Sequence, residues 1–174
     1  MYRIRQFFKR IYNLYRWFPI IWKDQDWDDY FIFEILKFKL KNQAKYIGEK
    51  DRHVSAKRDA EIMMLCVRLI EKVQKEYYEG EYFHYHQSDL KFIPSKKYPD
   101  HYEIDVKLIS ENFSSYFKKY PRIFREVVES ERYKLPLTKK VKEKVAFKVA
   151  RINGDRAHKL LFKILEENIK RWWD

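Results

Sequence analysis

The chain has 174 residues, with 38 Lys and Arg against 26 Asp and Glu, a formal charge of +12. Hydrophobic residues make up 45 %, which excludes an intrinsically disordered chain and fits a globular one. Cys66 is the only cysteine, so an intramolecular disulfide and a cysteine-rich zinc site are excluded.

This length suffices for one domain, 1–174, with a real core. Aromatics reach 18 %, and most of that excess is expected to fill the core, because aromatic rings bury large areas. Glycine occurs three times. So few glycines disfavour tight-turn chemistry and point to long helices. The positive surface attracts nucleic acid, nucleotides, anionic lipid or an acidic protein, although a lysine-rich surface also serves solubility alone. Charged residues interrupt every apolar run, so neither a signal peptide nor a membrane span is expected. A reducing, cytoplasmic setting follows from the cysteine usage.

Residues 2–16 read as a helix. Ile4, Phe7, Phe8, Ile11, Leu14 and Phe18 follow i, i+3, i+4, i+7 spacing. Arg3, Arg5, Lys9, Arg10 and Arg16 surround them, with no acid before Asp24. Such a helix suits a membrane surface or nucleic acid, or it is an ordinary amphipathic helix lying on a core. Phe18-Pro19 is expected to bend the chain.

The stretch Arg16 to Asp29 packs Trp17, Trp22 and Trp27 and four aspartates around Pro19. It reads as a structural motif. Pro19 redirects the chain, the tryptophans pin two helices together, and Asp24, Asp26 or Asp28 caps the next helix. That helix spans about Trp27 to Ile47, with Phe31, Ile35, Phe38 and Ile32, Leu36, Leu40 on its apolar face and Gly48 as its stop.

Ser55 is placed to cap a third helix over 56–79. Ile62, Leu65, Leu69, Val73 and Tyr77 form its stripe, widened by Met63, Cys66 and Ile70. Residues 80–109 lose helical periodicity. Asp89–Ile93 and Tyr102–Ile109 read as strands around a Pro94-to-Asp100 turn, or the segment is an ordered loop insertion. Helicity returns over Ser110 to Glu131, interrupted near Pro121. Thr138 can cap a helix with the stripe Val141, Val145, Val149 and Ile152. Asn153-Gly154-Asp155 reads as a stop and restart before a last helix over 156–173. The expected fold is mainly α, a single-domain bundle of about five to seven helices, with 80–109 a small hairpin near 89–109 or an irregular insertion.

Several constellations resemble reactive sites. Counting from Asp24, the glycine and the terminal carboxylate that an EF-hand loop requires are replaced by Asp29 and Ile35, so a calcium loop is excluded. His84 and His86 with Asp89 lack a third assignable zinc ligand, since His53, His101 and His158 are scattered. No metal and no cofactor is therefore expected. Pro99-Asp100 with Glu103-Ile104-Asp105-Val106-Lys107 resembles the PD-(D/E)xK nucleases. There, carboxylates hold a divalent metal and a lysine assists the attacking water. Glu103, Asp105 and Lys107 would share one face of a strand. Asp100 lies closer in sequence than that family's pattern has it, and the α/β core is missing. Glycines at 48, 80 and 154 alone leave no phosphate-cradling loop. Anion-binding candidates are the basic positions Lys140, Lys144, Lys148 and Arg151, then Arg156, Lys159 and Lys163. The plain alternative is a solvated charged face.

Arg3-Ile4-Arg5, Arg16-Trp17-Phe18-Pro19-Ile20-Ile21-Trp22-Lys23-Asp24, Asp26-Trp27-Asp28 and Tyr30 through Lys41 resemble a set of tailed-bacteriophage proteins. The run Arg156 to Glu167 with Trp172-Trp173-Asp174 is similar to theirs, as is His53-Val54 with the helix behind it. Gln25 departs from an expected Arg. The resemblance covers about half the chain and transfers no functional residue. It implies a phage gene product made in the host bacterial cytoplasm.

The expected function is a non-enzymatic accessory protein that binds an anionic partner in a host-directed or anti-defence role, the partner being a nucleotide ligand or a host protein. Alternatives are a nucleic-acid-binding protein in phage replication or packaging, and a metal-dependent nuclease using Asp100, Glu103, Asp105 and Lys107. The aromatic surplus also suits a homodimer.

Overall fold

A computed structural model describes residues 2–24, 29–50, 54–98 and 100–173. The chain runs α1 (Tyr2–Ile21), α2 (Tyr30–Lys50), α3 (Ala56–Gln74) and α4 (Tyr77–Gly80). A 3₁₀ turn (Glu81–Tyr85) leads into β1 (His86–Pro94) and β2 (Tyr102–Glu111). Then come α5 (Phe113–Lys119), α6 (Pro121–Ser130), α7 (Lys139–Asn168) and a closing 3₁₀ turn (Arg171–Trp173). The described residues are 72 % helical with one antiparallel hairpin, the mainly-α class expected.

Two compact units divide these elements. The first comprises Met1–Gln74 with Leu161–Asp174, and the second Lys75–Leu160. In the first unit, Leu40, Ala44 and Ile47 of α2 pack with Met63, Cys66, Val67 and Ile70 of α3. Leu161 and Leu165 of α7 and Trp172 close that core. Leu65 and Tyr77, expected on the core stripe, are exposed. Ser55 starts α3 as expected. Its carbonyl accepts the Asp59 N–H at 2.9 Å, and its hydroxyl donates to Asp59 Oδ2 at 2.8 Å.

In the second unit, Phe113, Tyr116 and Phe117 of α5 meet Ile123 and Val127 of α6 and Val145, Val149 and Ala150 of α7. Glu81 is buried there. It accepts hydrogen bonds from Lys119 Nζ and Tyr120 Oη. Its partners are thereby supplied internally, as a buried carboxylate requires.

Helix ends depart from expectation in consistent ways. Pro19 does not turn the chain: α1 runs through it to Ile21. Trp22 and Lys23 still donate to Phe18 and Ile20 at 2.9 and 3.2 Å. A proline so near a helix end costs one backbone bond, and the carbonyl it frees belongs to Tyr15, which is open to water. Gly48 does not stop α2, which reaches Lys50. It is a close-approach glycine: a Cβ there would lie 3.2 Å from Ala60 Cβ on α3. Asn153-Gly154-Asp155 does not interrupt α7. Gly154 faces the Glu79 side chain, into which a Cβ would project, and Asn153 is buried. The true break lies earlier. Glu76 takes a left-handed φ of 47°, ending α3 before the expected 79.

The hairpin is longer than the expected strands. Its register pairs Asp89 with Lys107, Lys91 with Asp105 and Ile93 with Glu103. Opposite residues share a face, so one side of the ribbon is charged and the other carries Leu90, Phe92, Ile104 and Val106. All of these apolar residues are exposed. The expectation that aromatics mostly fill the core therefore fails on the hairpin. It fails on α1 too, where no residue is buried.

Candidate functional site

The basic positions read as two helices, from Lys140 to Lys163, all lie on α7. Within the second unit, Lys140, Lys144, Arg151 and Lys159 are exposed. At i, i+4, i+11 and i+19 they fall within about 100° of helical arc, in a row roughly 29 Å long. The row lies opposite Val145, Ala146, Val149 and Ala150, which enter the core. None of these four cations makes an ion pair or hydrogen bond among the described residues. Three other candidates are already neutralised. Lys148 pairs with Glu131, Arg156 with Glu126 at 2.8 Å, and Lys163 with Glu167 at 3.8 Å.

The nuclease candidates are not gathered into a ligand set. Asp100 sits in the hairpin turn at φ 69°. Glu103, Asp105 and Lys107 share a face of β2, as strand period requires, but Glu103 Oε1 accepts a bond from Ser95 Oγ at 2.6 Å. Asp105 faces Lys91 and Lys107 faces Asp89 across the ribbon, while Lys91 Nζ also lies 3.8 Å from Asp89. This is an alternating charge ladder on a solvated surface. Among the described residues, no group of three His, Cys, Asp or Glu is placed to hold a metal ion. His86 packs as an aromatic, its ring 5.4 Å from both Tyr82 and Phe113 and its Nδ1 3.2 Å from the Tyr82 carbonyl, whereas His84 is exposed. Cys66 is fully buried, and burial pushes its thiol up to about 11. It has no nucleophilic character at neutral pH.

In the structural motif, Trp17 does pin two helices. Its ring meets Phe38 of α2 edge-on at 4.6 Å. Arg16 supports it, lying 5.6 Å over the same Phe38 ring and donating to Asn42 Oδ1. Trp22 instead lies tilted against Phe18, ring centroids 5.1 Å apart, and is exposed. The Asp24 side chain makes no ion pair with α1 among the described residues. Trp27 lies outside the described residues, as do Gln25, the proposed caps Asp26 and Asp28, His53 and Pro99.

Two concave features escaped the sequence. A cleft of about 340 Å³ between α2 and α3 is lined by Lys41, Lys45, Arg68, Ala44, Ala60, Glu61 and Met64. Lys41 there is tied to Glu71 at 2.8 Å, while Arg68 makes no ion pair among the described residues. A second cleft, of about 610 Å³, lies between α1 and α2 beside Arg10, Leu14, Trp17 and Ile35. Each depends on helix pairing, for which the sequence carries no local signal. No helix of the described residues is long and apolar enough to cross a membrane. No family model matches the chain, and comparison with curated proteins and with solved structures likewise finds no match.

Proposed function

We propose that this chain is a non-enzymatic binding protein for an anionic partner, acting in a phage-infected bacterial cell on a host factor. The observation that carries the reading is the row of cations without an ion pair on α7, Lys140, Lys144, Arg151 and Lys159, in which the exposed Asp155 is the one acid. Elsewhere on this helix, acids are supplied to Lys148, Arg156 and Lys163. Four neighbouring cations left without such partners form a surface that attracts negative charge. An extended row suits an extended partner, either the acidic face of a protein or a nucleic-acid backbone. A compact nucleotide needs concavity. The α2–α3 cleft with Arg68 supplies that second reading.

The test compares wild type with K140E/K144E/R151E and with Arg68→Ala. Single-stranded and duplex nucleic acids, an acidic polypeptide and a nucleotide panel serve as probes. The row predicts binding to an extended polyanion that the charge reversal abolishes and Arg68→Ala spares. A melting shift with a nucleotide, lost in Arg68→Ala, would instead favour the cleft. Polyanion binding that is unchanged by the reversal overturns the assignment of the row.

A further inference from the structure

α1 combines features that ordinary packing does not explain. It is twenty residues long, and none of its residues is buried. Its partly covered side chains are Gln6, Arg16, Trp17 and Ile20, which fall on one narrow side. That side holds α1 to α2 through Trp17 and Arg16. The opposite arc carries Ile4, Phe7, Phe8, Ile11 and Phe18, with Leu14 at its edge beside the α1–α2 cleft, all exposed, Phe8 at 65 %. An amphipathic helix on a core turns its apolar stripe inward. Here the weakly polar edge is the one docked, and the apolar stripe faces outward.

The cations are placed accordingly. At helical spacing, Arg3 and Arg10 fall along one border of the apolar arc and Arg5 beyond the other, while Lys9 lies on the far side with Arg16 and Ile20. The helix contains no Asp or Glu. We propose that α1 lies in the surface of an anionic lipid bilayer, its aromatic and aliphatic arc sunk among the acyl chains and its bordering Arg3, Arg5 and Arg10 at the headgroups. The proposal goes beyond the partner binding assigned to α7 and does not depend on it.

Charge decides between occupants. A second copy on this face would bring two acid-free basic helices together, a like-charge juxtaposition. A nucleic-acid contact would put cations at the centre of the face, and here the centre is apolar. A bilayer with anionic lipid matches both parts, because apolar burial and headgroup attraction act together, and the Arg stems reach outward to the phosphates. The absence of any membrane-crossing helix among the described residues fits a segment that lies on a bilayer without spanning it.

Co-sedimentation with phosphatidylcholine vesicles, with and without phosphatidylglycerol, tests this on the full chain. Wild type is expected to sediment with the phosphatidylglycerol vesicles and only weakly with phosphatidylcholine alone. Replacing Arg3, Arg5 and Arg10 by Gln should weaken the anionic-vesicle affinity about five-fold per cation. F8S/I11S should lower it by more than about ten-fold on any vesicle. Because α1 buries no side chain, both variants should keep the wild-type far-UV circular dichroism of the cores. Equal sedimentation with both lipid compositions overturns the proposal, as does no sedimentation at all. So does a wild-type dimer, seen by light scattering, that F8S/I11S converts to monomer, since the face is then closed by a second copy. The wild-type lipid comparison decides the matter even if a variant fails to fold.

Discussion

Truncating Trp17 to alanine should release α1 from α2 while leaving the core of the first unit folded. Trp17 is half-buried, and its ring meets Phe38 at 4.6 Å. Full burial of a large apolar side chain is worth about 1.5–3 kcal/mol, so half burial gives about 1 kcal/mol. The edge-on aromatic pair adds about 0.5–1.5 kcal/mol. Arg16 over Phe38 depends on the same ring position, so part of a further ~0.5–1 kcal/mol is lost with it. The sum is about 2 kcal/mol, or roughly a thirty-fold rise in the undocked population. An undocked helix of this length is marginal in water and should fray. Native-state hydrogen exchange is the assay. Amides of α1 should lose protection by that factor, while those of Met63 to Ile70 in α3 stay unchanged, because α1 contributes nothing to the buried core. If α1 protection is unaltered, or if α3 loses protection equally, Trp17 is not a local anchor and the account of α1 docking fails.

Two further outcomes follow from a buried thiol and a part-buried carboxylate. Cys66 should resist a thiol reagent at mildly alkaline pH in the native protein and react at once in denaturant, since burial raises its pKa to about 11. Rapid native labelling would show that α2 and α3 do not enclose it. Glu111 accepts from Lys142 Nζ at 2.8 Å and from the Phe113 N–H at 2.9 Å. The Lys142 bond chiefly holds its carboxyl below the ordinary 4.5, against a smaller opposing effect of burial. A carboxyl depressed on folding contributes stability that is present above its unfolded value and lost as pH falls through the folded one. Glu111→Gln should therefore be less stable than wild type at neutral pH, and the difference should shrink below pH 4.5. Parallel acid limbs in urea unfolding would contradict this.

The hairpin was the most legible element. The alternation in Asp89–Ile93 and Tyr102–Ile109 and the turn residues from Pro94 to Asp100 locate it within a few residues of β1 and β2. Register was not legible, and register alone reveals that Lys91 and Asp89 oppose the acids and lysine of β2. Helix existence was readable from periodicity, but helix ends were not where glycine was concerned. Gly48 and Gly154 look like caps in sequence, and only the partner surfaces at Ala60 and Glu79 show that they serve close approach. Pro19 misled for a related reason: its cost depends on how near the helix end it lies. The spacing on α1 gave the apolar stripe correctly, but no sequence pattern says whether such a stripe faces a core or solvent. The cations of α7 were all visible in the sequence. Which of them remain unpaired depends on acids remote in the chain, such as Glu126 and Glu131.

The central claim, that the α7 row binds an anionic partner, is tested most directly by the salt dependence of binding to a single-stranded nucleic acid. Affinity is measured for wild type and for K140E/K144E/R151E across a range of salt concentrations. Each phosphate contact contributes about 0.7 to the slope of log affinity against log salt. A steep slope is expected for wild type, made shallower by about two in the triple reversal, with the remaining affinity near the detection limit. Indistinguishable slopes and affinities for the two proteins would contradict it.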